Sequence, residues 1–315
     1  MAQHQKIITI IGGSGFVGRY VVSHLARAGY RIRVVSRNPN AALALKTAGD
    51  PGQISLISGN INRLETIIPV VTGAFAVVNL VGILFEKGYQ NFTKLQAEGA
   101  ENLAKIAKAA GVTRFIHISA LGVDNAFGSE YARTKLMGEK AILSAFPEAT
   151  IIRPSVIFGA EDNFFNQFAR MPILPLIGGG KTRFQPVYVD DVAKAVVACL
   201  AQSESEGQVY ELGGNTVYSF KALLDFVQKT LRVKKPMIRL SFGVASVVAL
   251  GAELAFKCIP LLRKPSLTRD QVRLLKYDNV VNAGAKTFAN LNITPQPMEP
   301  IVAKYLARFN PKKAL

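Results

Sequence analysis

The chain has few of the residues that build covalent or metal frameworks. Its two cysteines, Cys199 and Cys258, stand far apart, so they offer neither a disulfide scaffold nor a metal-ligand spacing and fit a reducing compartment. His4, His24 and His117 form no H-x-x-H or H-E-x-x-H pattern, so no metal site is expected. The amino terminus, Met-Ala-Gln-His-Gln-Lys, lacks the regions of a secretory signal and the Arg- and Ser-rich character of a transit peptide. The expected location is cytoplasmic in a bacterium, or organellar after processing. Acidic residues are also scarce: 21 Asp and Glu face 38 Lys and Arg, a net charge of +17. From 221 to 315 there are 17 basic and 5 acidic residues, or +12 in that stretch alone. Such a half suits nucleic acid, anionic lipid or an acidic protein surface, although a solvated basic face has the same composition. No recognition-helix, RRM or zinc signature supports nucleic acid, and none is expected as a partner.

Against these absences stand 315 residues that are 49% hydrophobic and 19% charged, a globular composition with an ample core. The length suits one large α/β domain, or a domain with a smaller lobe. Short apolar runs recur at 6–11, 31–36, 53–57, 76–80, 115–119 and 150–152. Continuous runs of this length suit strands buried on both faces, as in a parallel sheet. Helical patterns separate them, notably 19–28, closed by Gly29, and 96–110, closed by Gly111. The rhythm predicts a doubly wound, Rossmann-type parallel sheet over 1–155. Residues 156–315 are read as a smaller, mostly helical lobe interleaved with it, with helices at 190–201 and 220–231.

Between the first strand and first helix lies Gly12-Gly13-Ser14-Gly15-Phe16-Val17-Gly18. Here Gly12 permits the tight turn, Gly15 the approach of a pyrophosphate, and Gly18 close helix–strand packing, while the helix N-terminus faces the anion. A glycine-rich structural turn is the bland alternative. Units that bind NAD carry an acid about 20 residues on for the ribose 2′-hydroxyl. No acid precedes Asp50 here, and the second strand ends in Ser36-Arg37. Arg37, assisted by Arg19, can pair with a 2′-phosphate, which favours NADPH over NAD; otherwise Arg37 is an exposed loop cation.

Ser119 ends a strand, and Tyr131-Ala132-Arg133-Thr134-Lys135 follows. On a helix Tyr131 and Lys135 share one face. A nearby ammonium would lower the phenol's pKa and let it exchange a proton with a carbonyl or alcohol, with Ser119 bonding the same oxygen. Tyr-x-x-x-Lys alone often marks only a helix face.

With these pieces the chain resembles the extended or atypical short-chain dehydrogenase/reductases. Arg153-Pro154-Ser155, Ile157-Phe158-Gly159 and V-Y-V-D-D-V (187–192) match as well. The resemblance implies a catalytic Ser119, Tyr131 and Lys135. It implies cofactor contacts from Gly12, Ser14, Gly15, Phe16, Val17, Gly18, Arg19 and Arg37. Further contacts would come from Asn60, Ile61, Leu80, Val81, Gly82, Tyr131, Lys135, Pro154 and Val156. Asn60 stands where many relatives have Asp near the adenine. A narrower resemblance rests on 146–154, 157–164, Gln185-Pro186-Val187-Tyr188-Val189 and Leu267-Thr268-Arg269-Asp270-Gln271-Val272. These segments look like the accessory-subunit family of respiratory complex I known as alpha subcomplex subunit nine, with its bacterial homologues. That implies a tightly held NADPH, little turnover, complex I subunits as partners, and a carboxy-terminal lobe against the inner face of the plasma membrane, or the matrix side in an organelle. The intact triad instead suits an active reductase, dehydrogenase or sugar-nucleotide epimerase/dehydratase acting on a small molecule.

One late segment bears on that choice. Residues 240–252 carry no charge. Thirteen residues are too few for a bilayer span, which takes about 20. On a helix Arg239, Ser246, Glu253 and Lys257 would form one narrow polar stripe, and the rest would be apolar. Such a helix either packs into its own core or lies on a membrane or partner, flanked by Lys234, Lys235, Arg263 and Lys264.

Overall fold

In the computed structural model, residues 6–259 and 264–310 are described; His4 and Arg263 lie outside them. The apolar runs become parallel strands: β1 (Ile7–Ile11), β2 (Arg31–Ser36), β3 (Ile54–Ser58), β4 (Ala76–Asn79), β5 (Arg114–Ile118) and β6 (Thr150–Pro154). Between them run α1 (Phe16–Arg27), α2 (Leu64–Val71), α3 (Gly99–Ala109) and α4 (Glu130–Ala145). The expected helix at 96–110 opens as a π-helical turn, Thr93–Glu98, before α3 begins. A Cβ on Gly138 of α4 would run into the Gln96 carbonyl, so α4 lies hard against this turn.

The second half is β7 (Ile157–Phe158), α5 (Phe164–Arg170), β8 (Leu174–Ile177), β9 (Arg183–Phe184), β10 (Val187–Tyr188), α6 (Val189–Ala201), β11 (Val209–Leu212), β12 (Tyr218–Ser219), α7 (Phe220–Leu231), β13 (Met237–Leu240), α8 (Phe242–Cys258), α9 (Arg269–Leu274) and α10 (Met298–Leu306). The main sheet runs β3-β2-β1-β4-β5-β6-β11, every pair parallel. The sequence pattern misses its seventh strand. Val209–Leu212 is short and includes Glu211, a charge that breaks the apolar signature and is buried against the Asn282 backbone and side-chain amides.

One face of the sheet is covered by α1 and α6, through Val21, Val22, Leu25, Val192 and Val196. The other is covered by α2, α3 and α4, through Ile67, Leu103 and Ile142. Each such side chain contributes about 1.5–3 kcal/mol by leaving water. The lobe has its own core, in which Phe165, Phe168, Phe220, Leu223 and Val302 join α5, α7 and α10. The V-Y-V-D-D-V motif supports this framework: Asp190 pairs with His24 of α1 at 2.6 Å, and buried Asp191 accepts from the Gln296 amide.

The α8 helix is turned inside out relative to an ordinary surface helix. Only Ala245 and Ala249 are buried, in a small cluster with Val272 of α9 and Ile177. The predicted polar stripe is only half borne out: half-buried Glu253 takes Arg269 at 2.9 Å and the half-buried Ser246 hydroxyl donates to the Phe242 carbonyl, while Lys257 is exposed and Arg239, also exposed, lies on β13 before the helix. The apolar remainder faces out, with Val247 70% exposed and Val244, Val248 and Leu254 about half exposed. The core-packed alternative is therefore wrong for most of this surface, because the contact it makes needs only two alanines. One basic flank is also corrected. The Lys235 ammonium donates to the Phe168, Ala169 and Met171 carbonyls at the end of α5, so it is occupied within the fold. Lys234 is exposed, and Lys264 donates to Asn163 Oδ1 at 3.1 Å.

Candidate dinucleotide site

At the carboxyl end of β1 the chain must turn sharply into α1. Gly12 does so at φ +82°, with its N–H on the Val35 carbonyl and its own carbonyl accepting from Gly15. A side chain at Gly12 would also press on the Leu80 backbone at 3.3 Å, which ties this turn to the loop after β4. A Cβ on Gly18 would lie 2.6 Å from Gly13 Cα, so the first turn of α1 touches the backbone of the turn that follows β1. Gly15 is exposed and caps α1, whose first turn carries no acid and no side-chain cap. The turn thus commits the Gly12 and Gly15 amides to its own shape and presents the positive end of α1, uncapped by any side chain, at this edge of the sheet. Ser14, Phe16 and Val17 belong to this turn and the start of α1, and Arg19 Nε donates to the Ser14 carbonyl at 3.4 Å.

Along the same edge of the sheet, Gly59 donates to the Ser36 carbonyl and so brings the end of β3 beside that of β2. Arg37 is exposed there, with no ion pair among the described residues. Asn60 Oδ1 accepts from the Asn62 amide, Ile61 is buried, and Leu80 and Val81 are half-buried. Three buried polar atoms lack a protein partner along this edge: Ser36 Oγ, Asn79 Nδ2 and Ser119 Oγ. Buried polar groups are ordinarily satisfied, so a row of orphans beside a glycine cradle fits a polar, elongated ligand. Pro154 and Val156 line the strand-to-lobe crossing, where Asn279 Oδ1 accepts from the Val156 amide.

The expected triad sits on two elements. Ser119 follows β5 directly, its N–H on the Ile152 carbonyl. Lys135, on α4, reaches under it to donate to the Ile118 carbonyl at 2.9 Å, with Val81 O at 3.5 Å. A Cβ on Gly82 would stand 3.3 Å from the Lys135 ammonium, so this glycine leaves room for it. The buried Glu139–Arg153 ion pair, 2.7 Å, pins α4 to β6 and so fixes Lys135 one turn away. Tyr131 packs edge-on to Phe92.

The electrostatics correct the sequence reading. Burial lowers Lys135 to about 8, and Glu139 opposes the shift. The Tyr131 phenol is raised to about 12, by burial first and then by Asp270. The spacing predicted the opposite direction, because it could not reveal that the lysine turns to backbone carbonyls while a carboxylate approaches from 139 residues away. Asp270 is the functional neighbour that motif reasoning missed in role. Its Oδ2 accepts from the Ser129 hydroxyl at 2.7 Å and the Tyr131 amide at 3.1 Å, and its Oδ1 accepts from the Glu130 amide at 2.7 Å. The available signal was the capping box Thr268-x-x-Gln271, which marks the start of α9.

A family model described as NAD dependent epimerase/dehydratase matches residues 8–213, the span that holds this turn, triad and sheet. The chain belongs to that family. Its similarity to individual proteins extends over nearly its full length. The mitochondrial NADH dehydrogenase [ubiquinone] 1 alpha subcomplex subunit 9 of Arabidopsis thaliana is 34% identical over 312 residues, covering 96% of this chain and 78% of its own. The Mus musculus protein of the same name is 32% identical over 299 residues, covering 93% and 78%. An Escherichia coli NADPH-dependent quinone oxidoreductase, solved with NADPH, shares the fold with a TM-score of 0.71 at 18% identity, covering 96% of this chain and 99% of its own. The chain is thus an NAD(P)-binding, short-chain-dehydrogenase-like member of the family, similar to complex I accessory subunits. Among the described residues no helix is long and apolar enough to cross a membrane, and none of the His, Cys, Asp and Glu residues form a metal-holding group.

Proposed function

We propose that this protein is an NADPH-holding subunit that docks on a respiratory NADH dehydrogenase complex at an anionic membrane surface. It would sit on the inner face of the plasma membrane, or on the matrix side in an organelle. The observation that carries this reading is the outward apolar face of α8, in a lobe-side stretch with 17 basic and 5 acidic residues. A helix that buries two alanines and exposes Val244, Val247, Val248 and Leu254 leaves an unpaired apolar surface, which in soluble monomers marks an interaction site. In the dinucleotide site, the positive end of α1 beside the Gly12–Gly18 turn would hold the pyrophosphate and Arg37 the 2′-phosphate. Lys135 and the orphaned Ser119 and Asn79 would hold the nicotinamide end. A bound nicotinamide supplies hydride chemistry. The phenol of Tyr131, raised to about 12 by burial and Asp270, gives up its proton less readily than a free phenol, which supports retention of the dinucleotide over turnover.

A second reading, an active NADPH-dependent reductase, dehydrogenase or sugar-nucleotide epimerase/dehydratase, is favoured by one observation. The buried Ser119 hydroxyl lacks a partner, as expected of a group that awaits a substrate oxygen. Native mass spectrometry of protein drawn gently from its own membranes separates the two. The subunit reading expects one NADPH per chain and respiratory subunits attached. Protein that purifies alone, exchanges NADPH freely and oxidises it with a carbonyl substrate overturns it in favour of the enzyme.

A further inference from the structure

The outward-facing helix and the dinucleotide site share their supports. From its inner side, α8 makes two connections toward the site. Its Phe256 ring stands edge-on to Phe85 at 5.7 Å, with the Lys87 ammonium 5.5 Å from the same ring. Phe85 lies in the loop that leaves β4 through Asn79, Leu80, Val81 and Gly82, the wall against which Gly12 and Lys135 rest. Gln96 anchors this loop by donating to the Ile83 carbonyl at 2.8 Å. The second connection runs through α9. Glu253 of α8 accepts from the Arg269 amide and guanidinium at 2.7 and 2.9 Å. The next residue, Asp270, binds Ser129, Glu130 and Tyr131 at the start of α4, the helix that carries Tyr131 and Lys135.

A carboxylate from outside a helix, set on its first free amides, stabilises that end by charge and by hydrogen bonding together. Here it is provided by the element on which α8 rests. The two lines therefore converge: one holds the loop wall of the site and the other the helix wall, and both end on α8. A displacement of α8 or α9 that costs either contact loosens a wall of the site.

We infer that Asp270 is a positioning residue that couples the α8 surface to the dinucleotide site, so that an anionic lipid surface on α8 and NADPH in the cradle each strengthen the other. This deepens the docking reading above and rests on it. Reciprocity is required: whatever factor lipid adds to NADPH affinity, NADPH adds to lipid affinity.

The test uses the full chain, NADPH, and vesicles of phosphatidylcholine with cardiolipin. NADPH dissociation is followed with and without vesicles, and vesicle flotation with and without NADPH. The wild type is expected to show a mutual gain of about fivefold or more in both directions, the lower end of ordinary coupling. Asp270→Asn should still bind each ligand alone, with the mutual factor falling toward one, and Asp270→Glu should restore part of it. A purely structural role would weaken both affinities and leave the factor unchanged. If Asp270→Asn fails to fold, Phe256→Ala breaks the other connection, and its mutual factor should also drop. The inference is overturned if the wild type binds both ligands without mutual effect, or if the folded variants keep the wild-type factor. A wild type that holds NADPH but never floats with vesicles refutes the docking reading itself, and this coupling with it.

Discussion

Two helices show how differently this chain treats apolar surface. Helix α1 buries Val21, Val22, Leu25 and Ala26 against the sheet and turns Arg19 and Arg27 to water. Helix α8 is longer and more apolar, yet it buries Ala245 and Ala249 and turns its valines outward. The first arrangement follows from folding alone, since the sheet offers a face that only apolar side chains can cover. The second leaves stabilisation unused within the chain. Apolar surface kept in that way gains its free energy from whatever covers it.

The largest expected effect strikes the α1 side. Gly18→Val adds a branched side chain where even a Cβ would meet the Gly13 backbone at 2.6 Å. Backbone cannot rotate away as a side chain would, so about 3 kcal/mol of stability should go, or folding itself. Urea unfolding measures it. Full stability would mean that α1 does not sit on the turn after β1 so closely. The next effect concerns recognition. Arg37→Asp removes an exposed cation with no ion pair among the described residues, so the fold should be unmoved. It should cost NADPH about 2 kcal/mol, roughly thirtyfold in affinity, and favour NADH. Unchanged selectivity would move the 2′-phosphate away from Arg37.

The same contrast explains what the sequence made legible. The sheet was readable because a strand buried on both faces must be a continuous apolar run, as Ile7–Ile11 is. The glycine turn was readable because its requirements are local: a positive φ at Gly12 and no side chain at Gly18. The α8 helix was legible as apolar, but its orientation was not, because that depends on how much surface α9 offers. Glu211 disguised β11, since its partner Asn282 lies 71 residues on. The direction of the Tyr131 shift was hidden for the same reason: spacing along α4 places Lys135 a turn away but not its ammonium, and nothing local announces Asp270.

A smaller effect belongs to the α8 side and has the opposite signature to that of Gly18. Val247 is 70% exposed, so Val247→Ser should change stability by less than about 0.5 kcal/mol. Vesicle affinity should fall by about 1 kcal/mol, or roughly fivefold, as one apolar side chain is lost from the docked face. Flotation measures the second and denaturation the first. A variant that lost stability and kept its vesicle affinity would reverse the assignment of faces on α8.

The last expected effect is a pH dependence that should appear in stability and not in docking. His117 is fully buried in β5 with neither ring nitrogen partnered, and burial first, then Lys135, holds its pKa well below 6.5. As pH falls through 6.5 the unfolded chain takes up a proton that the folded chain refuses, so stability is lost on the acid side. Lys135 acts in the alkaline window. Its pKa is about 8 in the fold against 10.5 when free, so between these values the unfolded chain binds more protons and stability rises with pH. Tyr131, raised from 10.0 to about 12, reverses the slope only above 10, where the free phenol ionises. Denaturant unfolding should therefore give stability that climbs through 6.5 and climbs again from 8 to 10. Lys135→Met should remove the upper climb and leave a reduced lower one, because it also removes one of the two influences on His117. The exposed face of α8, with Val244, Val247, Val248 and Leu254, has nothing to titrate, so vesicle affinity should not follow the lower climb. A wild type with no upper climb would mean that Lys135 is hydrated in solution, and that the wall formed by Gly82 and Val81 stands open.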